Sequence, residues 1–326
     1  MQDGLYVVDF HAHLQDSLMQ EALCREDRQS SLFHKHAAPW VEQLAHLGEP
    51  IYDEPLRTAA LHFNDRLSRN VLETMGHIFL VETLRLFKKY GIERLLASME
   101  KNNIDHVVIH SLEPLTRAQN IAQIIAPYKE KFSLFASVSK DELDPVLYFS
   151  DLVKSGAVSG LKIHPQVGEF ACGEIYHKSK DLVDYCGSSD LPILIHTGHI
   201  PTGNLKGLSG CSEVKALEPL IADFPKSKFI LAHIGWESWR SVLEIAKKYP
   251  NVCVETSWQP AKIIRRAVDT LGAERVLFGS DFPLFQQSMA LKQVKAALTP
   301  KELVLVASVN ARRLLKLENR VGSVRC

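Results

Sequence analysis

Eight short apolar runs alternate with stretches of helical spacing, and this alternation constrains the fold more than any other feature of the chain. The first run, LYVVDFHAH, spans residues 5–13, and the last, RVLFGSDFP, spans residues 275–283. The six runs between them occupy residues 105–111, 131–139, 160–165, 191–198, 228–236 and 251–258. Between most runs, apolar residues recur every three or four positions, as in WRSVLEIAKKY at 239–249, which is typical of amphipathic helices.

This order of elements predicts a barrel. Strands that alternate with helices form right-handed βαβ units around a parallel sheet, and eight such units predict an α/β fold of the (β/α)8 (TIM) barrel type. An open doubly wound sheet is the alternative, but no glycine-rich phosphate loop follows an early strand. We therefore predict one barrel domain over residues 1–326, in which residues 16–90 form a helical insertion after strand 1. Because the insertion begins at a strand end, its helices are expected to cover the barrel mouth or to form a homodimer contact.

The composition limits the partners of the chain. The 38 basic and 38 acidic side chains cancel to a formal net charge of zero, which argues against binding to nucleic acid or to an anionic membrane surface. Neither a signal peptide nor an apolar stretch of transmembrane length is visible. The six cysteines are scattered without a C-x-x-C pair, a pattern typical of free thiols in a reducing compartment. We therefore expect a cytoplasmic protein whose partner is a small molecule.

Histidine and aspartate residues stand where the predicted strands end. Asp9, His11 and His13 alternate along the first strand, so they are expected to share one face of it. Three later strands end at His196, His233 and Asp281. In an α/β barrel these ends converge on one mouth, where the active site lies. Imidazole and carboxylate ligands suit Zn²⁺ or a similar divalent ion, so the sequence predicts a metal centre at this mouth.

Four of these strand ends carry a resemblance to a known family. The motifs are DFHAH at 9–13, LIHTG at 194–198, AHIG at 232–235 and GSDFP at 279–283. Together with a closing helix, SVNARRLLKL at 308–317, they resemble the amidohydrolase superfamily and, more narrowly, its amidohydrolase-2 branch. That branch includes aminocarboxymuconate-semialdehyde and resorcylate decarboxylases. The resemblance extends from residue 5 to about residue 317 and is interrupted by the insertion.

The resemblance implies a metal site and a catalytic pair. One divalent ion, Zn²⁺ or alternatively Mn²⁺, is expected to bind the side chains of His11, His13, His196 and Asp281. His233 is expected to handle a proton or to polarise the substrate, and Asp281 is expected to serve also as a base or proton shuttle. A carboxylate beside a metal-bound water can accept its proton, and a neutral imidazole can polarise a carbonyl group.

Three further residues, Lys162, His164 and Trp236, are predicted to bind the substrate. Lys162 and His164 share one face of the fourth strand. We favour an unmodified, cationic Lys162 that faces the mouth and binds a substrate carboxylate, which the resemblance suggests as part of the substrate. The alternatives are a carboxylated lysine that bridges two metal ions, as in some superfamily relatives, and a purely structural lysine.

Large side chains near the mouth bear on substrate size. Trp236 stands where the family usually has a second glycine, and its ring is expected to narrow the mouth. Other aromatic residues are expected either to form an apolar substrate wall or to pack the loops: Trp258, Phe282 and Phe285. Glu255 is interpreted as a salt-bridge partner inside the barrel rather than as a ligand of a second metal ion.

Three functions are compatible with these residues. The main hypothesis is a metal-dependent hydrolase, in which a metal-bound hydroxide attacks an amide, lactone or ester carbonyl. The alternative is a metal-dependent non-oxidative decarboxylase, a lyase acting on an aromatic or dienoic carboxylate. The motifs do not separate these two, because both reactions use nearly the same ligand set. A non-catalytic metal- or ligand-binding barrel is the third hypothesis, and the intact Asp281 and His233 argue against it.

Overall fold

Eight parallel strands form the centre of the protein in a computed structural model, which describes residues 4–15, 86–87, 89–168, 170, 173–198 and 212–317. The strands follow one another around the sheet in chain order, β1 to β8. Their bounds are β1 Val8–Ala12, β2 His106–His110, β3 Phe132–Ala136, β4 Gly160–Ile163, β5 Pro192–Ile195, β6 Lys228–Leu231, β7 Val252–Glu255 and β8 Val276–Leu277. Each strand pairs in parallel with the next one.

The last strand returns to the first. The backbone N–H of Phe10 donates to the carbonyl oxygen of Phe278 at 2.8 Å, and the N–H of His13 donates to that of Phe282 at 2.7 Å. These bonds join β1 to the segment that continues β8, so the sheet is nearly closed. The α/β barrel predicted from the sequence is confirmed. The predicted insertion at 16–90 lies almost entirely outside the described residues, and its role remains a prediction.

Helices connect the strands and cover the sheet. Their bounds, numbered over the described parts of the chain, are α1 Ile92–Asn102, α2 Ala118–Ile125, α3 Pro145–Lys154, α4 Glu174–Ser188, α5 Val214–Asp223, α6 Trp239–Lys248, α7 Ala261–Leu271, α8 Gln287–Ala297, α9 Pro300–Val304 and α10 Asn310–Leu315. In α6 the buried residues are Val242, Leu243, Ile245 and Ala246. This spacing gives the helix one apolar face, which packs towards the sheet. In the described parts of the chain, no helix combines the length and the apolar character needed to cross a lipid bilayer.

Two apolar clusters separate the inside of the barrel from its outer layer. The larger cluster combines the buried faces of the helices with strand residues. The smaller cluster draws its strand members from alternate positions, Val8, Phe10, Val108, Phe135, Leu194, Ile230 and Leu277, and adds Ala232 directly after β6. Because alternate side chains of a strand point to opposite faces, this second set fills the barrel interior below the mouth.

The first strand departs from regular alternation. Its pairing with β2 shifts register between Asp9 and Ala12. His11 consequently contacts Glu255 across the barrel, whereas the carboxylate of Asp9 accepts hydrogen bonds from Ser280 and from Gln287 of α8. The expectation that Asp9 shares a face with His11 and His13 is therefore wrong, because the irregularity in β1 turns Asp9 towards the helical layer.

Candidate metal centre

Three predicted ligands meet at the mouth. The Oδ1 atom of Asp281 lies 3.2 Å from Nε2 of His13 and 3.5 Å from Nε2 of His11. All three side chains are buried, and their ligand atoms lie within 4.8 Å of one another. Donor atoms bound at about 2.0–2.2 Å to one ion stand about 2.8–3.6 Å apart in tetrahedral or octahedral geometry. The observed separations are therefore close to those of neighbouring metal ligands.

The hydrogen bonds of these three side chains also fit a metal site. Oδ1 of Asp281 is buried and makes no hydrogen bond, although two imidazole nitrogens lie near it. Such an acceptor is costly unless a cation or a donor satisfies it. Nδ1 of His13 donates to the carbonyl oxygen of His110 at 2.9 Å, so Nε2 is the ring nitrogen that faces Asp281. The donor set fits a divalent ion bound by His11, His13 and Asp281.

His11 is oriented by a buried carboxylate. Nδ1 of His11 lies 2.9 Å from Oε2 of Glu255, and both side chains are fully buried. A metal-binding histidine commonly donates its other ring N–H to a carboxylate, which fixes the ring and its tautomer. The observed contact agrees with the interpretation of Glu255 as a partner inside the barrel.

The predicted ligand His196 lies in an adjacent group. Its Nδ1 atom is 3.0 Å from Nε2 of His233, and its ring stacks on that of His164 at 4.0 Å between centroids. His196 does not belong to the His11–His13–Asp281 group, although the two sets of residues are joined by the stacked rings of His11 and His233. The structure thus brings three of the four predicted ligands together and places the fourth beside the predicted catalytic histidine.

Four buried imidazoles at this mouth are held neutral. Burial lowers the pKa of His11, His110, His164 and His233 well below the usual value, and the neighbouring Lys162 and histidines lower it further. A neutral imidazole offers a lone pair to a cation, whereas a protonated one does not. The electrostatics therefore favour metal binding over a cluster of charged histidines.

Lys162 lies deeper than the sequence suggested. Its side chain is buried, with 1% of its surface exposed, and its Nζ atom is 3.1 Å from Nε2 of His11. Burial lowers the pKa of Lys162 to about 7, while nearby Asp281 and Glu255 oppose that shift. Burial therefore opposes the predicted cationic form of Lys162 and the two carboxylates favour it, so that form remains a prediction.

The loop after β6 is built from left-handed backbone. His233, Ile234, Gly235 and Trp236 have φ values of 59°, 45°, 76° and 48°. Left-handed residues other than glycine cost energy and persist where the surroundings hold them. Gln259 does so here, because its Nε2 atom donates to the carbonyl oxygens of His233 and Trp236 at 2.6 and 3.1 Å. Sequence reasoning missed Gln259, because this residue lies outside the motifs.

Aromatic residues cover the same loops. The rings of Trp236 and Trp258 lie 6.0 Å apart, and those of Trp258 and Phe285 lie 5.0 Å apart. The indole N–H of Trp258 also donates to Oδ2 of Asp281 at 2.7 Å, which orients the carboxylate. Trp258 therefore orients Asp281 in addition to packing the loops. Substrate binding by Trp236 remains a prediction.

A second buried carboxylate supports the centre from outside the barrel. The oxygens of Asp9 accept from the backbone N–H of Ser280 at 2.8 Å, its hydroxyl at 2.6 Å, and Nε2 of Gln287 at 2.8 Å. The N–H of His11 lies 3.2 Å from Oδ1. These bonds hold the residue next to Asp281 against the strand that carries His11.

A cavity opens on the opposite side of the mouth. It measures about 210 Å³ and lies between the end of β4, the loop after β3 and helix α4. Lys162 and His164 line it at the barrel, and Lys140, His177 and Lys178 line it further out. Two predicted substrate-binding residues, Lys162 of β4 and His164 directly after it, thus line this cavity.

The motifs of the chain also match a known family. Residues 8–317 match the model of a protein family described as Amidohydrolase. The chain belongs to this family. The resemblance inferred from the four motifs is confirmed, and the chain is an enzyme of the amidohydrolase superfamily. None of the curated proteins compared with it matches significantly.

Solved structures share the fold of this family member at low sequence identity. A variant of 5-carboxyvanillate decarboxylase from Novosphingobium aromaticivorans, with bound manganese and 3-methoxy-4-hydroxy-5-nitrobenzoic acid, is 14% identical with a TM-score of 0.66, over 97% of this chain and 98% of that one. A proposed 2-pyrone-4,6-dicarboxylic acid hydrolase from Pseudomonas putida is 15% identical with a TM-score of 0.56, over 96% and 98%. An amidohydrolase from Burkholderia multivorans with bound zinc is 12% identical with a TM-score of 0.55, over 70% and 88%.

Proposed function

We propose that this amidohydrolase family member is a metal-dependent hydrolase that cleaves a small carbonyl compound: an amide, lactone or ester. The single observation that carries the proposal is the buried Oδ1 atom of Asp281, which makes no hydrogen bond and lies beside the imidazoles of His11 and His13. Hydrolysis needs a group that accepts a proton from water, and a buried carboxylate at the reacting centre is such a group.

The chain would hold its metal ion at this point of the barrel. His11, His13 and Asp281 are the proposed ligands, with His196 as the fourth, and Zn²⁺ or Mn²⁺ suits their nitrogen and oxygen atoms. When bound, the ion would supply Lewis acidity that polarises a carbonyl group and acidifies water. Similar folds have been crystallised with manganese and with zinc, which supports a divalent ion without selecting one.

The side chains around the ion have distinct proposed roles. Asp281 accepts the proton of the attacking water, while the Trp258 N–H holds its second oxygen in place. His233 handles a proton next to His196. Lys162, at the inner end of the cavity, binds the anionic group of the substrate. The cavity of about 210 Å³ suits a small molecule rather than a polymer.

Decarboxylation is the second candidate, and a specific observation favours it. The similar structures include a 5-carboxyvanillate decarboxylase bound to a nitrobenzoic acid. A lyase would use the same ligands to orient a carboxylated ring, and a donor near the metal would protonate the carbon atom that loses CO₂.

Isotope labelling separates the two candidates. The metal-loaded protein is incubated with a panel of carboxylate-bearing amides, lactones and esters and of aromatic and dienoic carboxylic acids, once in H₂¹⁸O and once in D₂O. A hydrolase incorporates one ¹⁸O atom into the product and releases no CO₂. Release of CO₂ with deuterium on the product carbon would replace our proposal with the lyase, and turnover of no substrate would favour a non-catalytic barrel. The Asp281→Asn variant serves as the inactive control.

A further inference from the structure

Glu255 stands at a junction of the hydrogen bonds at the mouth. Besides His11, its Oε2 atom accepts from the hydroxyl of Ser257 at 2.9 Å and from the backbone N–H of His233 at 3.3 Å. Its Oε1 atom accepts from the backbone N–H of Ser257 at 2.5 Å. A backbone N–H therefore points at each oxygen, and the ionised carboxylate of Glu255 receives donors only.

The neighbouring strand leaves room for this carboxylate. A Cβ atom at Gly279, in the GSDFP motif after β8, would lie 2.2 Å from Oε1 of Glu255. Real side chains do not tolerate such a distance, so glycine at this position is matched to the carboxylate. Glu255 is fully buried and occupies a place that two strands together provide.

The hydrogen bonds of Glu255 determine where the protons lie on Ser257, His233 and His196. A hydroxyl has one hydrogen atom, and Ser257 donates it to Glu255. Nδ1 of His233, 2.6 Å from the same hydroxyl oxygen, must then be the donor to it. Nε2 of His233 is consequently unprotonated and accepts from Nδ1 of His196 at 3.0 Å. His196 is left with an unprotonated Nε2 atom, which is the form that a metal ligand requires.

We propose that Glu255 and Ser257 are positioning residues that set the tautomers of histidines on three strands. Glu255 sets His11 of β1 directly, and it sets His233 and His196, which follow β6 and β5, through the hydroxyl of Ser257. In each ring the proton lies on Nδ1. The functional consequence rests on the proposed metal-dependent reaction, because the unprotonated Nε2 atoms of His11 and His196 are then available to the ion.

The tautomers can be read directly in the metal-free protein. Histidine side chains labelled with ¹⁵N report which ring nitrogen carries the proton, and single histidine substitutions assign the signals. We expect protonated Nδ1 in His11, His196 and His233. In Ser257→Ala, the signals of His196 and His233 should change towards protonated Nε2 while His11 keeps its tautomer. Glu255→Gln should change all three rings.

Matched variants control for general damage. Ser111 is also buried at the mouth, and its hydroxyl contacts Ser137 rather than a histidine, so Ser111→Ala should leave the three tautomers unchanged. Ser257→Thr keeps the hydroxyl and should restore the wild-type pattern. Zn²⁺ and Mn²⁺ affinity, measured by competition with a chelator, should fall by about 10–100-fold in Ser257→Ala, the usual loss for partners of metal ligands, and should return in Ser257→Thr.

Either of two results would overturn the proposal: protonated Nε2 in His233 of the wild-type protein, or unchanged tautomers and metal affinity in Ser257→Ala. The wild-type spectrum alone decides the first point, even where a variant does not fold. Neither readout involves a substrate, so failure to detect hydrolysis would count against the proposed function and would leave this inference standing.

Discussion

The two sides of the barrel mouth differ in how firmly their strand ends are held. The ends of β6, β7, β8 and β1, which we term the anchored side, are joined by the buried carboxylates of Asp9, Glu255 and Asp281. The ends of β3 and β4, which we term the open side, lie beside the cavity of about 210 Å³.

Backbone conformation shows the same difference. On the anchored side, five residues other than glycine have positive φ: His233, Ile234, Trp236, Trp258 and Asp281. Among the described loop residues that follow β3 and β4, none has a positive φ. Unfavourable backbone is kept where dense bonding outweighs its cost. The comparison indicates that the anchored side fixes reacting groups, while the open side admits a ligand.

Loss of His233 is the strongest test of this division. We expect His233→Asn to keep its metal and to lose about 10²–10⁴-fold in kcat/KM, the usual range for acid–base groups. The matched control is His177→Asn on the open side, where an exposed histidine lines the cavity and the loss should be small. Elemental analysis and kinetics of both variants provide the measurement. Metal lost in proportion to activity would make His233 a ligand.

Glycine substitutions compare the packing of the anchored side with a free surface. Gly235 and Gly156 both have φ of 76°, but a Cβ atom at Gly235 would lie 2.4 Å from Cγ2 of Val242, whereas one at Gly156 meets nothing within 4 Å. Gly156→Ala carries only the cost of left-handed backbone, about 1–2 kcal/mol. Gly235→Ala should lower the free energy of unfolding by about 1–3 kcal/mol more, because overpacking adds to that cost. Urea denaturation measures both values, and equal losses would show that this loop is loosely packed.

Lys162 contacts His11 on the anchored side and lines the cavity on the open side. Its substitution should give the smallest effect of the three. Lys162→Met is expected to raise KM for an anionic substrate about tenfold, with metal content unchanged, because a binding contact is lost. Lys162→Arg should also be impaired, since the planar guanidinium cannot take the place of an ammonium group. Steady-state kinetics with elemental analysis test this. Electron density for a carboxylated Lys162 bridging two ions would contradict the role as substrate ligand.

The sequence predicted the parts that depend on local pattern. The eight apolar runs were sufficient for the barrel, because strands and helices alternate in any such fold. The histidines of the DFHAH motif reached the mouth because strand ends converge there. His13 and Asp281 could therefore be paired without a structure, although 268 positions separate them.

Contacts across the barrel could not be predicted in the same way. The side of the sheet to which Asp9 points depends on a register shift between β1 and β2. No residue type in the sequence indicates such a shift. The burial of Lys162 and the hydrogen bonds of Glu255 depend on side chains from strands that are distant in sequence. Burial then alters their pKa values: it raises the pKa of Glu255 to about 8 and lowers that of Lys162 to about 7. Such shifts come from the assembled interior rather than from neighbours in sequence.

Metal titration tests the central claim, that the anchored side holds a single divalent ion, most directly. Metal-free protein is titrated with Zn²⁺ and with Mn²⁺ by calorimetry, alongside the Asp281→Asn variant. We expect one equivalent to bind to the wild-type protein. Affinity should fall more than about 100-fold in the variant, since loss even of partners outside the ligand set costs about 10–100-fold. Binding of two equivalents, absence of saturable binding, or unchanged affinity in Asp281→Asn would contradict the claim.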